Sequence, residues 1–99
     1  METTKLALNG HNVGELQLYT DGVKAGKMDL AIKDGILTVY HTEVDEAFAG
    51  RGFAKILLEK VVSHAREQQL MIAPLCPYVH AQFRRHAEAY EDVWHKGSV

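Results

Sequence analysis

A chain of 99 residues, 46% hydrophobic and 24% charged, has the composition of one ordinary globular domain, and we expect residues 1–99 to form it. The formal net charge is −2 and the basic residues are spread out, apart from Arg84-Arg85-His86, which argues against nucleic acid as the main partner. No apolar stretch reaches the length of a membrane span and the N-terminus lacks the pattern of a secretion signal, which argues against a membrane partner.

The first half of the chain predicts strands joined by tight turns. In residues 14–20 apolar and polar side chains alternate with period two, as in a half-buried strand, and Asp21-Gly22 then predicts a turn. Residues 27–33 alternate again and end in the tight-turn sequence Lys33-Asp34-Gly35. Ile36–Val44 is the longest and most apolar of these runs, and we expect it to be central in an antiparallel meander.

The second half changes to helical periodicity. Apolar residues recur at steps of three and four over residues 54–65, with polar side chains on the opposite face, which predicts a helix of about four turns. Residues 70–73 predict a short strand that returns parallel to the previous one after the helical crossover.

A second, shorter helix is expected from residue 79 to about residue 87, because Pro74 and Pro77 prevent regular helix between them. We expect Tyr90 and Trp94 to pack back onto the body of the domain. The fold class predicted is α+β: a mostly antiparallel twisted sheet with a final parallel strand, one long helix and one short helix.

The run Ala49-Gly50-Arg51-Gly52-Phe53-Ala54 lies between a predicted strand and the long helix. Such a turn offers unpaired backbone N–H groups and the positive end of the helix dipole to a phosphate group. Taken alone, a Gly-x-Gly sequence is more often a plain turn. The ATPase phosphate loop needs a spacing that this chain lacks, and the dinucleotide fingerprint needs a third glycine where Lys55 stands.

In order and spacing, these elements resemble the acetyl-CoA-binding core of the GCN5-related N-acetyltransferases, and most closely a small single-domain branch of that family. Four blocks within residues 36–94 carry the resemblance: His41-Thr42-Glu43-Val44, Gly50-Arg51-Gly52-Phe53-Ala54, Cys76-Pro77-Tyr78-Val79 and, more loosely, Phe83-Arg84-Arg85-His86. The resemblance implies a GCN5-related fold that uses acetyl-CoA. No metal site is predicted, because the six histidines and the one cysteine are scattered along the sequence.

The resemblance implies that the CoA pyrophosphate lies on the N–H groups of residues 49–54, and that pantetheine pairs with the end of the strand at Glu43 and Val44. Ala49 stands where the family usually has Arg or Gln, so Arg51 and Lys55 are candidate phosphate partners, although both could equally be solvated. The residues expected to bind the cofactor are Val44, Ala49, Gly50, Arg51, Gly52, Phe53, Ala54, Lys55 and Tyr78.

Three residues are candidates for the chemistry of acetyl transfer. A histidine side chain can accept the proton of an amine, which makes His41 a candidate base, with Glu43 on the same strand face to orient it or to act through water. A structural histidine and a solvated glutamate are the alternatives. Cys76, held between two prolines before a helix that would favour a thiolate, could form an acetyl-thioester, or could only line the site during direct transfer. Tyr78 could protonate the departing CoA thiolate or could simply pack.

The function predicted is acetyl-CoA-dependent N-acetylation of an unidentified acceptor in the cytoplasm, where a single cysteine such as Cys76 stays reduced. The chain shows none of the N-terminal helices that shape the acceptor pocket in full-size members. An open cleft suits a protein or another bulky amine, or a partner chain could complete the site. The alternatives are a non-catalytic acyl-CoA-binding module and a plain interaction domain.

Overall fold

A computed structural model describes residues 1–97 as one five-stranded sheet with helices that follow its fourth strand. The strands are β1 (Glu2–Leu8), β2 (Val13–Thr20), β3 (Val23–Lys33), β4 (Ile36–Val44) and β5 (Met71–Pro74), and they lie in chain order across the sheet. The helices are α1 (Phe53–Gln68), α2 (Pro77–Arg85) and α3 (Ala87–Tyr90), with a 3-10 turn at Glu46–Phe48. Neighbouring strands are antiparallel except β4 and β5, which are parallel. The predicted α+β architecture is confirmed.

The two predicted tight turns are present as the two-residue loops of β-hairpins. Asp21 and Gly22 have φ angles of 49° and 82°, and Asp34 and Gly35 have φ angles of 52° and 79°. Two successive residues with positive φ match the right-handed twist of the flanking strands, which is why Asp-Gly pairs are favoured there. These turns fix the register of the meander.

The sheet differs from the prediction in three places. The N-terminal strand β1 was not predicted, because only a few of its residues are apolar enough to show alternation. Strand β3 begins at Val23 rather than at residue 27, since a bulge at Ala25 opposite Leu18 and Tyr19 interrupts its period of two. Strand β4 is neither the longest nor the central strand: β3 has 11 residues and lies in the middle.

Helix α1 covers one face of the sheet, as its periodicity predicted. Its buried side chains are Phe53, Leu57, Leu58, Val61, Val62 and Ala65. They pack on the alternate residues of β2, β3 and β4 that are buried, including Leu18, Leu30 and Val39. Burial of a large apolar side chain contributes roughly 1.5 to 3 kcal/mol, so this one face supplies much of the stability. The opposite face of the sheet carries mostly polar and small side chains.

Helix α2 begins two residues earlier than predicted, at Pro77, because proline is well tolerated in the first turn of a helix. Its Phe83 stacks on Tyr90 with ring centroids 4.7 Å apart and meets Trp94 edge-on at 5.7 Å. The expected packing of both aromatic residues is therefore confirmed. Residues 93–95 also pair in parallel with Ile72, whose N–H donates to the Val93 carbonyl at 2.6 Å.

Arg66 of α1 forms hydrogen bonds with the C-terminal segment, at Ala89 and Asp92. Its guanidinium makes two hydrogen bonds to the Asp92 carboxylate, at 2.9 and 3.1 Å, and a third to the Ala89 carbonyl at 2.7 Å. In the part of the chain that is described, no helix combines the length and the apolar character needed to cross a membrane.

Candidate functional site

The turn before α1 requires glycine at two positions. Gly50 and Gly52 have φ angles of 80° and 76°, a region that residues with a Cβ atom rarely adopt. A Cβ atom built on either glycine would meet no other atom within 4 Å. The surface at these two glycines is thus open in the described part of the chain.

The N–H groups of this turn are free from Gly50 onward, and the prediction for Ala49 needs correction. The Ala49 N–H donates to the Glu46 carbonyl at 3.2 Å, as the cap of the 3-10 turn, and is not available to a ligand. Across residues 1–97, no backbone acceptor receives an N–H from residues 50–52. The first bond of α1 is donated by Ile56 to the Gly52 carbonyl, so the N–H groups of residues 53–55 are also unpaired.

Two cations lie beside these N–H groups. The Arg51 guanidinium is 5.5 Å from the centre of the Phe48 ring and 5.0 Å from that of Phe53, and the two rings are stacked at 6.0 Å. Such contacts fix the guanidinium without neutralising it. Arg51 and the exposed Lys55 form no ion pair with any carboxylate of the described chain. Both charges remain available to an anion at the turn, whereas the Phe53 side chain is buried and only its N–H can contribute.

Strand β4 has a free edge along its second half. Its pairing with β5 covers only residues 36–39 and ends where the Cys76 N–H donates to the Val39 carbonyl at 2.8 Å. There the chain turns into α2, and β4 continues as far as Val44 paired with β3 alone. The two elements diverge, and the backbone groups of residues 40–44 on that side have no strand partner in the described chain.

The alternation of the ladder identifies which backbone groups point to the free edge. Asp45 donates its N–H to the Ala25 carbonyl of β3 at 2.8 Å, and Glu43 lies two residues earlier in the same register. In an antiparallel ladder every second residue bonds to the same neighbour, so Thr42 and Val44 direct their N–H and C=O groups away from β3. An extended ligand could pair with them as an added strand. The predicted role of Val44 fits this edge, whereas the backbone of Glu43 is engaged with β3.

A bulge in β4 sets which side chains face which side. Asp29 pairs with His41 and Leu30 pairs with Val39, so Tyr40 is an extra residue that shifts the alternation by one. Without this shift His41 would share the buried face of Val39. With it, His41 and Glu43 lie on the outer face of the sheet, and Thr42 lies on the face covered by α1.

Cys76 lies at the point where β4 and β5 part. Its side chain is 2% exposed, and its sulfur is 3.2 Å from the Thr42 Oγ1 atom. Cys76 is the N-cap residue of α2, and its carbonyl accepts the first bond of that helix from the His80 N–H at 3.0 Å. The Thr42 hydroxyl and the Cys76 thiol are thus within hydrogen-bond distance of each other at the N-terminus of α2.

His41 and Glu43 form a separate pair. His41 Nε2 is 3.6 Å from Glu43 Oε1, both side chains are exposed, and Glu43 is also 4.0 Å from the Lys27 ammonium. They lie on the opposite face of β4 from Cys76. The structure therefore brings His41 together with Glu43 and Cys76 together with Thr42, and it does not join the three predicted catalytic residues in one cluster.

Tyr78, two residues after Cys76, is half-buried at the start of α2. Burial raises the pKa of its phenol above the ordinary value, and the neighbouring charges of Tyr90, Cys76 and Glu59 raise it further. The phenol therefore carries its proton at neutral pH, and burial makes it a weaker acid than a free tyrosine.

Thr42 was missed by the sequence analysis. It stands inside the block of residues 41–44 that carries the resemblance, and its contact with Cys76 depends on the bulge at Tyr40, which the sequence does not show. Among residues 1–97, no three side chains of the types that ligate metals come together.

Comparisons with known proteins bear on this site. A sequence model of the family described as GCN5-related N-acetyl-transferase matches residues 15–93, a span that contains the glycine turn, the free edge of β4 and Cys76. No curated protein sequence matches the chain.

Several solved structures share the fold. A GCN5-like protein from Staphylococcus aureus superposes with a TM-score of 0.67 at 24% identity, over 94% of this chain and 87% of that one. The ribosomal-protein-S18-alanine N-acetyltransferase of Escherichia coli gives 0.62 at 18% identity over 67% of this chain and 43% of that one. The ribosomal-protein-alanine N-acetyltransferase of Brucella melitensis gives 0.62 at 20% identity over 89% and 65%. The chain thus spans less than two thirds of the length of these two enzymes.

Proposed function

The chain belongs to the GCN5-related N-acetyltransferase family, and from this premise we propose that it transfers an acetyl group from acetyl-CoA to an amine of a protein. The observation that carries the proposal is the free edge of β4, which runs from the glycine turn to the thiol of Cys76. Two of the enzymes with the same fold are named for acetylation of a ribosomal protein, which favours a protein amine as the acceptor.

The N–H groups of residues 50–55 would hold the pyrophosphate of CoA, with Arg51 and Lys55 as its counter-charges. The open space above Gly50 and Gly52 admits a phosphate. Pantetheine, an extended chain with two amide groups, would pair with the outward-facing backbone of Thr42 and Val44. Acetyl-CoA supplies the activated acetyl group, and the chain positions its thioester near Cys76.

Cys76 would act as the nucleophile. Its thiolate attacks the acetyl carbonyl carbon, the new carbon–sulfur bond forms, and the bond from that carbon to the CoA sulfur breaks. Tyr78 donates its proton to the departing CoA thiolate and regains the proton that Cys76 has lost. Thr42 holds the Cys76 sulfur through its hydroxyl at 3.2 Å. A thiol in this role must stay reduced, which favours the cytoplasm.

The second step would take place at the opening where β4 and β5 part, between the inner face that holds Cys76 and the outer face that holds His41. An amine attacks the acetyl-cysteine, its nitrogen forms the amide bond, and Cys76 leaves as a thiolate. His41, paired with Glu43 at 3.6 Å on that face, would accept the proton released by the amine, through water.

Intact-mass spectra after mixing with acetyl-CoA test this proposal. The wild-type chain should gain the mass of one acetyl group and release one equivalent of CoA, and Cys76→Ala should gain none while it still binds CoA in a calorimetric titration. An acetyl adduct on Cys76→Ala would exclude the thioester route. Binding of CoA without acetyl transfer either to Cys76 or to an added acceptor amine would identify the chain as an acyl-CoA-binding module, and absence of binding would overturn both.

A further inference from the structure

The outer face of the sheet carries a groove that the cofactor site does not use. Its floor is a row of four residues in register across β2 to β5: Val13, Ala31, Thr38 and Ala73. These residues face away from α1, and three of them are small. The accessible volume is about 1190 Å³, above the range usual for small-molecule pockets, and the groove is open to solvent. An open groove of this volume has room for a segment of an extended polymer.

Large apolar side chains line the groove where it approaches the reaction centre. Tyr40, 49% exposed, is the extra residue of the β4 bulge, and Leu75, 64% exposed, directly precedes Cys76. Exposed apolar side chains that converge on one groove are typical of binding surfaces. This end of the groove lies against the place where β4 and β5 part, and His41 follows Tyr40 on the same face.

The charge around the groove is positive although the whole chain is slightly negative. Lys33 and Lys96 line it, and Asp34 is the one carboxylate among its lining residues. Lys96 lies over the Trp94 ring at 4.6 Å, and neither Lys96 nor Lys33 forms an ion pair within residues 1–97. Charge complementarity therefore favours an acidic occupant.

We propose that this groove binds an extended, acidic segment of the acceptor protein that also carries apolar side chains. Apolar side chains of the segment pack between Tyr40, Leu75 and Trp94, its carboxylates pair with Lys33 and Lys96, and its amine reaches the bulge beside His41. A segment of about six extended residues, at about 3.3 Å each, spans roughly 20 Å. The inference rests on the proposed acetyl transfer and names the chemistry of its acceptor.

Trp94 provides a direct measurement, because it is the chain's single tryptophan and it lines the groove. The probe is an octapeptide with a free N-terminal alanine followed by alternating leucine and glutamate, and the comparison peptide has lysine in place of glutamate. The acidic peptide should change the fluorescence of Trp94 in a saturable way and should become acetylated in the presence of acetyl-CoA. The lysine peptide should bind at least tenfold more weakly.

The double variant Lys33→Glu, Lys96→Glu tests the charge of the groove. It should lose at least tenfold in affinity for the acidic peptide, whereas acetylation of Cys76 by acetyl-CoA should be unchanged. The matched control Lys5→Glu, Lys60→Glu makes the same change in net charge at two exposed lysines outside the groove and should bind as the wild type does.

Equal binding of the two peptides, no change in Trp94 fluorescence, or unchanged affinity in the groove variant would each overturn the inference. Saturable, charge-dependent binding without acetylation of the peptide would uphold the groove as an acidic-peptide site and would count against the proposed function instead.

Discussion

Thr42 and Cys76 are 34 residues apart in the chain, and their side chains meet at 3.2 Å between Oγ1 and Sγ. The contact depends on the bulge at Tyr40, which turns Thr42 to the inner face of β4, and on the start of α2, which places Cys76 beside it. It joins the strand expected to hold pantetheine with the residue expected to receive the acetyl group.

Replacement of Thr42 by valine removes the hydroxyl and keeps the shape of the side chain. A hydrogen bond to a charged sulfur contributes about 1.5 to 3 kcal/mol, so acetylation of Cys76 by acetyl-CoA should slow by about tenfold or more. Thr42→Ser keeps the hydroxyl and should restore most of the rate. The rates are measured by quenched intact-mass spectrometry, and equal rates for the valine and serine variants would show that the hydroxyl has no part in the reaction.

Replacement of Gly50 or Gly52 by alanine should weaken binding of CoA by more than tenfold. The new Cβ atom enters the open space above the turn, and a residue with a Cβ at this φ costs about 1 to 2 kcal/mol. Gly35→Ala is the matched control, because Gly35 has a φ of 79° and the same open surroundings in a hairpin outside the turn. Calorimetry should show full CoA affinity for this control, and a similar loss there would mean that stability alone explains the effect.

Removal of the charge at Arg51 or Lys55 should weaken CoA binding by about 5- to 10-fold each, as expected for a charge-assisted contact with phosphate. The loss should shrink as salt is raised, since salt screens exposed charges. Arg51→Lys keeps the charge but loses the planar stacking on Phe48 and Phe53, so we expect an intermediate affinity. Lys60→Ala, exposed on the same helix, is the control, and an effect there equal to that of Lys55→Ala would contradict a local role.

Tyr78→Phe should slow the release of CoA by about tenfold, less than is usual for loss of a general acid, because a thiolate leaves readily without a proton.

Burial raises the pKa of the Tyr78 phenol. Its contribution to stability is therefore complete below the pKa of an unfolded tyrosine, about 10, and is lost as the pH rises through the higher folded value. Denaturation at pH 8 and pH 11 should show a smaller alkaline loss for Tyr78→Phe than for the wild type, and equal losses would contradict the raised pKa.

The hydrogen bonds between Arg66 and Asp92 should make the stability of the C-terminal segment depend on pH in the acid range. The hydrogen bonds from Arg66 lower the pKa of the Asp92 carboxyl. The stability that results is present above the pKa of an unfolded aspartate, about 4, and is lost as the pH falls through the lower folded value. Asp92→Asn should unfold at a lower temperature than the wild type at pH 7, and the difference should shrink below pH 4. A constant difference across this range would contradict the linkage.

The sequence predicted those features that depend on local periodicity and turn chemistry. The spacing of Leu57, Leu58, Val61 and Val62 was enough to predict α1, and the two Asp-Gly turns were enough to predict the hairpins. Bulges could not be predicted, because an extra residue in a strand is visible only against its partner. The bulge at Tyr40 therefore concealed the contact between Thr42 and Cys76, and it separated His41 from them.

The sequence predicted which residues contribute to the site but not how those residues are arranged in space. The glycines of the turn are where the pattern placed them, but Ala49 uses its N–H for the 3-10 turn at Glu46, which a motif cannot reveal. The groove on the outer face was not foreseen at all, because its floor combines residues of four strands whose register follows only from the folded sheet.

We expect CoA to lie on the N–H groups after Ala49 and along the free edge of β4. Titration of the ¹⁵N-labelled protein with CoA, followed by two-dimensional NMR, measures all of these backbone N–H groups at once. The largest shifts should occur at residues 50–55 and at Thr42 and Val44, with small changes in the groove. Saturable binding that leaves the N–H signals of the turn and of the β4 edge unmoved would contradict this placement of CoA.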